Sequence, residues 1–516
     1  MTNVLEFLEN SAERFPGKTA FLDPARSLTF FELREVSRQI GSLFLSGALG
    51  VQVRSEEAVA FYMEKSAEAV AAMFGAVYAG AFYSFIDVRQ PEERALQVFS
   101  ILKPAVIITD EENEEALQKI CETGEGLKCQ RIRIGELLRL AGQTEIYENL
   151  LAEARNAFYD QMPLYVNFTS GSTGVPKGVA VGHRSVIDFI TVFTETFSLS
   201  PSDILGNQAP FDFDVSVKDI YSGLYTGATV VLIPRDYFSK PQILMDYLSD
   251  NQVTVLVWAV SAMCFVSIMN GLEYKTPETV RMVMFSGELM PVKQLRKWKK
   301  NLPNAVYINL YGPTEITCNC TWYELDREFA DDELIPIGKP FGNEKVFLLD
   351  KDDTLIDPSE IGKEGELCVS GTCLALGYYR DPEKTAEVFV QNPLNDRFYE
   401  RIYRTGDIGK YDARGDLIYT SRKDFQIKHL GQRIELSEID VAAMSVEGVS
   451  RACTLYDTAK KKIVLFYTGE RDRNELSEEL HKKLPPYMLP GKTIALTDMP
   501  LNKNGKIDRT ALSAKL

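Results

Sequence analysis

Apolar residues along this chain recur with two alternating periods. Residues 164–168 form an apolar run of strand length, and so do 105–109, 228–233 and 253–257, the last two rich in β-branched residues. Between such runs the spacing changes to that of a helix face. Val186, Ile190, Phe193 and Phe197 share one side of a helix, and the alanine-rich stretch 67–80 predicts a tightly packed helix. Residues 27–33 predict a strand entering a helix at Thr29, with Glu32 three residues on as in a capping box. This alternation predicts a parallel α/β architecture. Residues 111–151 are charged and weakly periodic, as expected of a segment lying over a sheet's exterior.

Past Asp326 the apolar runs shorten, as at 345–349 and 366–369, with many turn residues between them. A smaller β-rich subdomain is expected there. From about Ser421 strand and helix signals mix again. The charged stretch Ser421-Arg422-Lys423-Asp424 predicts a boundary, giving a large unit 1–423 and a small α+β unit 424–516. The fold class expected is α/β, α+β overall. A chain of 516 residues is too long for one core.

The net charge of −16 argues against nucleic-acid binding or a membrane-surface role. Any phosphate site must gather its cations locally, and a divalent ion would help. The opening residues carry glutamates and no basic region, and no uncharged apolar run is long enough to span a bilayer. The eight cysteines are scattered without a C-x-x-C, so neither a zinc site nor a disulfide framework is expected. A reducing cytoplasm follows as the expectation, without membrane insertion.

The stretch that carries chemistry is Thr169-Ser170-Gly171-Ser172-Thr173-Gly174-Val175-Pro176-Lys177-Gly178. A glycine and hydroxyl loop after a strand brings backbone N–H groups close to polyphosphate oxygens, and lysine adds a point charge. The common nucleotide loop needs glycine before the lysine and a hydroxyl after it; here Pro176 and Gly178 stand there. Alone, the stretch reads equally well as a polar surface turn.

Five further stretches join it in order: 213–216 (Phe-Asp-Val-Ser), 309–315 (Asn-Leu-Tyr-Gly-Pro-Thr-Glu), 403–407 (Tyr-Arg-Thr-Gly-Asp), 422–428 (Arg-Lys-Asp-Phe-Gln-Ile-Lys) and 504–509 (Asn-Gly-Lys-Ile-Asp-Arg). Together they resemble the adenylate-forming enzymes over nearly the whole chain. The likeness is nearest to the amino-acid adenylation branch, in particular the D-alanine–carrier protein ligases and stand-alone peptide-synthetase adenylation domains. Asp214 followed by Ser216, Trp258, and the ending 500–506 are the marks of that branch.

The resemblance implies ATP and Mg²⁺ as cofactors. Lys506 corresponds to the catalytic lysine that reaches carboxylate and phosphate, Thr314 to the α-phosphate donor, and Glu315 to the Mg²⁺ ligand. Thr169, Ser170, Gly171, Ser172, Thr173, Gly174 and Lys177 would hold the leaving phosphates. Tyr311 would stack on adenine, with Asn309, Gly287 and Glu288 lining that site, and Asp407, Arg422 and Lys428 would hold the ribose side. Joining two anions calls mainly for fixed positive charge and positioning.

Asp214 points to the substrate. A carboxylate in the apolar setting of Phe211 and Phe213 needs a cationic partner, which a substrate ammonium supplies; taken alone, the residue reads first as a helix N-cap for 217–225. By correspondence the pocket comprises Asp214, Val215, Lys218, Val257, Met284, Ser286, Leu310, Cys318 and Asn319. Val215, Ser286 and Leu310 resemble serine-activating pockets. Ser286 and Lys218 depart from the D-alanine pattern, where a cysteine and an apolar residue are usual. Lys218 either recognises a polar or acidic side chain or snorkels outward. The expected activity is formation of aminoacyl-AMP from a small amino acid, D-alanine or serine-like, then transfer to a phosphopantetheinylated carrier protein in trans. The alternatives are an acyl-CoA synthetase for a non-amino acid and a catalytically silent nucleotide-binding or carrier-docking protein. None of the three histidines forms a nucleophilic arrangement with serine and aspartate.

Overall fold

A computed structural model describes residues 1–123, 129–171, 175–331, 333–423, 426–500 and 507–516. Two mixed sheets face a shared helical layer. The first has seven strands, with Phe82–Phe85, Ala58–Tyr62, Val106–Thr109 and Gln130–Arg133 running parallel and the Pro163–Thr169/Lys177–Gly182 pair turning antiparallel. In the second, of nine strands, Val306–Tyr311, Met282–Ser286, Val255–Ala259, Ile204–Asn207 and Thr229–Leu232 are successive parallel neighbours. The expected parallel α/β architecture is therefore present, with antiparallel edges.

Between the sheets lie Phe30–Ser46, Ala67–Tyr78, His183–Thr196 and Val215–Thr226. Thr29 and Glu32 form the expected capping box. Ala67–Tyr78 buries every residue except Glu68, and small residues allow the close crossing. A side chain on Gly41 would meet Tyr78 Cβ at 2.7 Å, and one on Gly75 would overlap Ile40. One continuous core joins these helices to both sheets.

The β-rich region beyond Asp326 is a six-stranded antiparallel sheet that includes Glu344–Leu349, Gly365–Gly371, Arg401–Tyr411 and Leu417–Arg422. After it comes a hairpin of Gln426–His429 and Gln432–Glu435, then a three-stranded sheet with its own apolar core around Ile434, Leu465 and Leu480. The segment 111–151 forms helices Glu114–Thr123, Ile134–Ala141 and Glu148–Asn156 and an edge strand, Gln130–Arg133. No helix among the described residues is long and apolar enough to cross a membrane.

Candidate active site

The carboxyl ends of the parallel strands in the nine-stranded sheet open onto one crevice, the usual place for a ligand in such sheets. Met282–Ser286 delivers Ser286, Gly287 and Glu288 there. Val306–Tyr311 delivers Asn309, Leu310 and Tyr311, and the 3₁₀ turn Thr314–Ile316 follows. A cavity of about 420 Å³ is bordered by Gly287, Glu288, Asn309, Leu310, Tyr311, Arg422 and Lys428, with Tyr419, Tyr456 and Lys461. On its floor Tyr311 donates to Asp407 Oδ2 at 2.6 Å and Arg422 donates to Asp407 Oδ1 at 2.5 Å. Asp407 and Arg422 are also register partners on neighbouring strands, so the sheet itself holds the pair. The Lys428 ammonium lies 5.5 Å from the Tyr311 ring centroid, and burial lowers its pKa.

Beside this cavity Glu315 is fully buried. Arg433 donates to Glu315 Oε2 at 2.6 Å and Tyr378 to Oε1 at 2.8 Å, with Lys177 Nζ 3.8 Å away. Burial alone would push the Glu315 carboxyl up, but Arg433 and Lys177 together hold it at about 2. Burial lowers Lys177 to about 8. The hairpin that supplies Arg433 is seated against residues far earlier in the chain. Ser170 Oγ donates to the Arg433 carbonyl at 2.6 Å, and the Gly431 amide donates to Glu288 Oε1 at 3.2 Å. Farther out, Arg94 and Glu438 form a buried ion pair across the same contact.

The third part is a cleft whose lining includes Asp214, Val215, Ser286, Thr314, Cys318 and Asn319, closed above by Gly431 and Arg433. Asp214 stands at the N-terminus of helix Val215–Thr226, yet its side chain makes no capping bond there. Of the two sequence readings, the structure therefore removes the side-chain cap. Asp214 is buried and makes no ion pair among the described residues. Burial raises its pKa against the opposing effects of a Thr314 hydrogen bond and the Lys218 charge.

Not every expected wall residue reaches this cleft. Val257 and Met284 are packed in the core behind it, and Leu310 borders the larger cavity instead. Lys218 is fully buried, which removes the snorkelling alternative, but it lies behind Asn319 rather than on the lining. Thr169 and Ser170 border an adjoining pocket that also reaches Asp214 and Thr314, and Gly171 is buried. Ser172, Thr173, Gly174 and Lys506 lie outside the described residues.

Arg433 and Tyr378 went unmarked in the sequence. For Arg433 the only signal was a cation in the Gly431-Gln432 turn, five residues beyond a recognised stretch. Tyr378 carried none.

Glu315 was the expected Mg²⁺ ligand. Both of its oxygens are held by protein donors, and no group of three histidine, cysteine, aspartate or glutamate side chains able to hold a metal gathers among the described residues. In this arrangement the residues present do not fit a cation at Glu315.

Residues 8–379 match the family described as AMP-binding enzyme. The chain is 29% identical over 521 residues to tyrocidine synthase 1 of Brevibacillus parabrevis, aligning 99% of this chain with only 45% of that protein. It is 31% identical over 522 residues to zwittermicin A synthase ZmaJ of Bacillus cereus, where 99% of this chain covers 95% of the relative. Among solved structures, the Vibrio cholerae adenylation domain AlmE, in complex with glycyl-adenosine-5'-phosphate, superposes with a TM-score of 0.84 at 21% identity, covering 100% of this chain and 98% of that one. With the crevice, its paired charges and a family match over most of the length in agreement, the chain belongs to the AMP-binding enzyme family of adenylate-forming ligases.

Proposed function

We propose that this protein activates a small amino acid, D-alanine or a serine-like one, as aminoacyl-AMP and passes the aminoacyl group to the phosphopantetheine thiol of a separate carrier protein. The observation that carries this reading is Asp214, a buried carboxylate beside the crevice with no protein cation paired to it. An isolated buried anion is costly, and a substrate ammonium relieves that cost.

In the first step a substrate carboxylate oxygen attacks the α-phosphorus of ATP, and the bond to the β-phosphate breaks to release pyrophosphate. Thr314 and Lys506 steady the charge at the α-phosphate, Thr169 to Lys177 receive the leaving phosphates, and Asp407 with Arg422 takes the ribose. In the second step the carrier thiol attacks the mixed anhydride carbonyl, AMP leaves, and the thiol proton passes to solvent. The proposal divides the chain into units 1–423 and 424–516, with rotation about Asp424 exchanging Lys506 for the 426–435 hairpin at the site. Seating of that hairpin against Ser170, Glu288 and Glu315 supports the reading.

The test is ATP–pyrophosphate exchange against D- and L-amino acids, followed by thioester formation on separate holo-carrier proteins. Exchange with small amino acids and loading of a carrier are expected. Exchange with non-amino carboxylic acids alone would replace this reading with acyl-CoA synthesis.

A further inference from the structure

Behind the cleft wall, Lys218 donates to Asn319 Oδ1 at 2.5 Å, with both side chains essentially excluded from solvent. An ammonium has protons to give and no lone pair to accept with. The amide oxygen of Asn319 must therefore face Lys218, which turns its NH₂ group the other way. Asn319 borders the cleft beside Asp214, and its amide makes no side-chain hydrogen bond among the described residues other than that to Lys218. The Ser286 hydroxyl on the same lining makes no hydrogen bond among the described residues.

The backbone that presents Asn319 is itself unusual. Thr317 and Cys318, neither of them glycine, both adopt positive φ, at 54° and 76°. Such conformations persist only where the surroundings enforce them. Here Thr317 Oγ1 donates to the Cys373 carbonyl at 2.7 Å and Cys318 Sγ donates to the Asp214 carbonyl at 2.8 Å. Asp214 and Lys218 are four residues apart at the start of one helix and so share a face, about 5–6 Å between their β-carbons. Lys218, which orients the Asn319 amide, is thus one helical turn from the acid.

Charge points the same way. Lys218 makes no ion pair among the described residues, so its charge adds to the donor character of Asn319 and acts on Asp214 as well.

We infer that the amino acid taken by this site carries a short side chain ending in a carbonyl or carboxylate oxygen, the aspartate or asparagine class, received by Asn319 Nδ2 with Ser286 Oγ. Lys218 is the positioning residue that fixes the amide. This rests on the reading that Asp214 holds the substrate ammonium, and it narrows that reading away from alanine. A side chain without an acceptor leaves two buried donors unanswered, a strong basis for rejection.

Pyrophosphate exchange with both enantiomers of aspartate, asparagine, serine, alanine and leucine tests it. The better of aspartate and asparagine should exceed alanine in kcat/KM by at least about tenfold. Asn319→Asp, which sets acceptors where donors stood, should collapse that ratio by about tenfold or more. Lys218→Met should raise KM for the preferred substrate more than it lowers kcat, and Lys218→Arg should recover part of the loss. Should Lys218→Met fail to fold, the wild-type ratio and Asn319→Asp decide alone. Alanine or leucine as the best substrate, or a ratio unmoved in Asn319→Asp, overturns the inference while leaving amino-acid activation standing. Exchange with no amino acid but with a non-amino carboxylic acid removes both.

Discussion

The two halves of the crevice handle charge in opposite ways. On the nucleotide side every buried acid named above has a protein partner: Asp407 is held by Tyr311 and Arg422, and Glu315 by Arg433 and Tyr378. On the side proposed for the amino acid Asp214 forms no ion pair among the described residues, and Asn319 and Ser286 line the cleft with hydrogen-bonding groups not taken up by the protein. Satisfied charges make a rigid surface whose field is set before anything binds. Unsatisfied ones make a surface that is complete only with its ligand. On the function proposed above, the first region would supply chemistry common to the family, while the second would determine which acid is accepted.

The strongest challenge to this division is Lys506→Ala. If the nucleotide side depends on one further cation delivered by the small unit, the variant loses pyrophosphate exchange yet still forms thioester from supplied adenylate. Equal loss of both steps would show that no such exchange of partners occurs. Next in size is Asp214→Asn, which keeps the shape and removes the anion. Losing one member of a buried charge pair costs about 2–5 kcal/mol, so kcat/KM for amino acids should fall by roughly 30- to 5000-fold. Unchanged exchange kinetics would mean that the ammonium binds elsewhere.

Glu315→Gln probes the paired side through stability rather than rate. It strands Arg433 in a buried position, a loss of about 3–5 kcal/mol that thermal unfolding would register. The same variant should also blunt the acid limb of stability. Glu315 is held at about 2, below its ordinary 4.5, so its contribution is complete above pH 4.5 and fades as pH falls toward 2. A variant as stable as the parent, with an identical acid profile, would mean that the pairing carries no weight.

Much of this was readable in the chain. The period at Val186, Ile190 and Phe193 was clear because helix His183–Thr196 buries one face only. The strand at 204–207 escaped notice: Ile-Leu-Gly-Asn is short and carries two poor strand formers, and only its central place in the sheet makes it a strand. In the site, Asp214 could be read from its apolar neighbours. The Arg433–Glu315 pair could not, because its members lie 118 positions apart and meet only when the hairpin is seated. Lys218 was flagged as a wall residue, but that it acts through Asn319 depends on atomic orientation, which spacing does not encode.

The bidentate arrangement at Glu315 has a simple arithmetic. A carboxylate has two oxygens; here one answers a phenol and the other a guanidinium, and the guanidinium arrives on a hairpin from beyond residue 423. Lifting the hairpin would take Arg433 away and leave the acid to Tyr378 and Lys177 alone. A single side chain thereby reports, at the centre of the molecule, where the far end of the chain has come to rest.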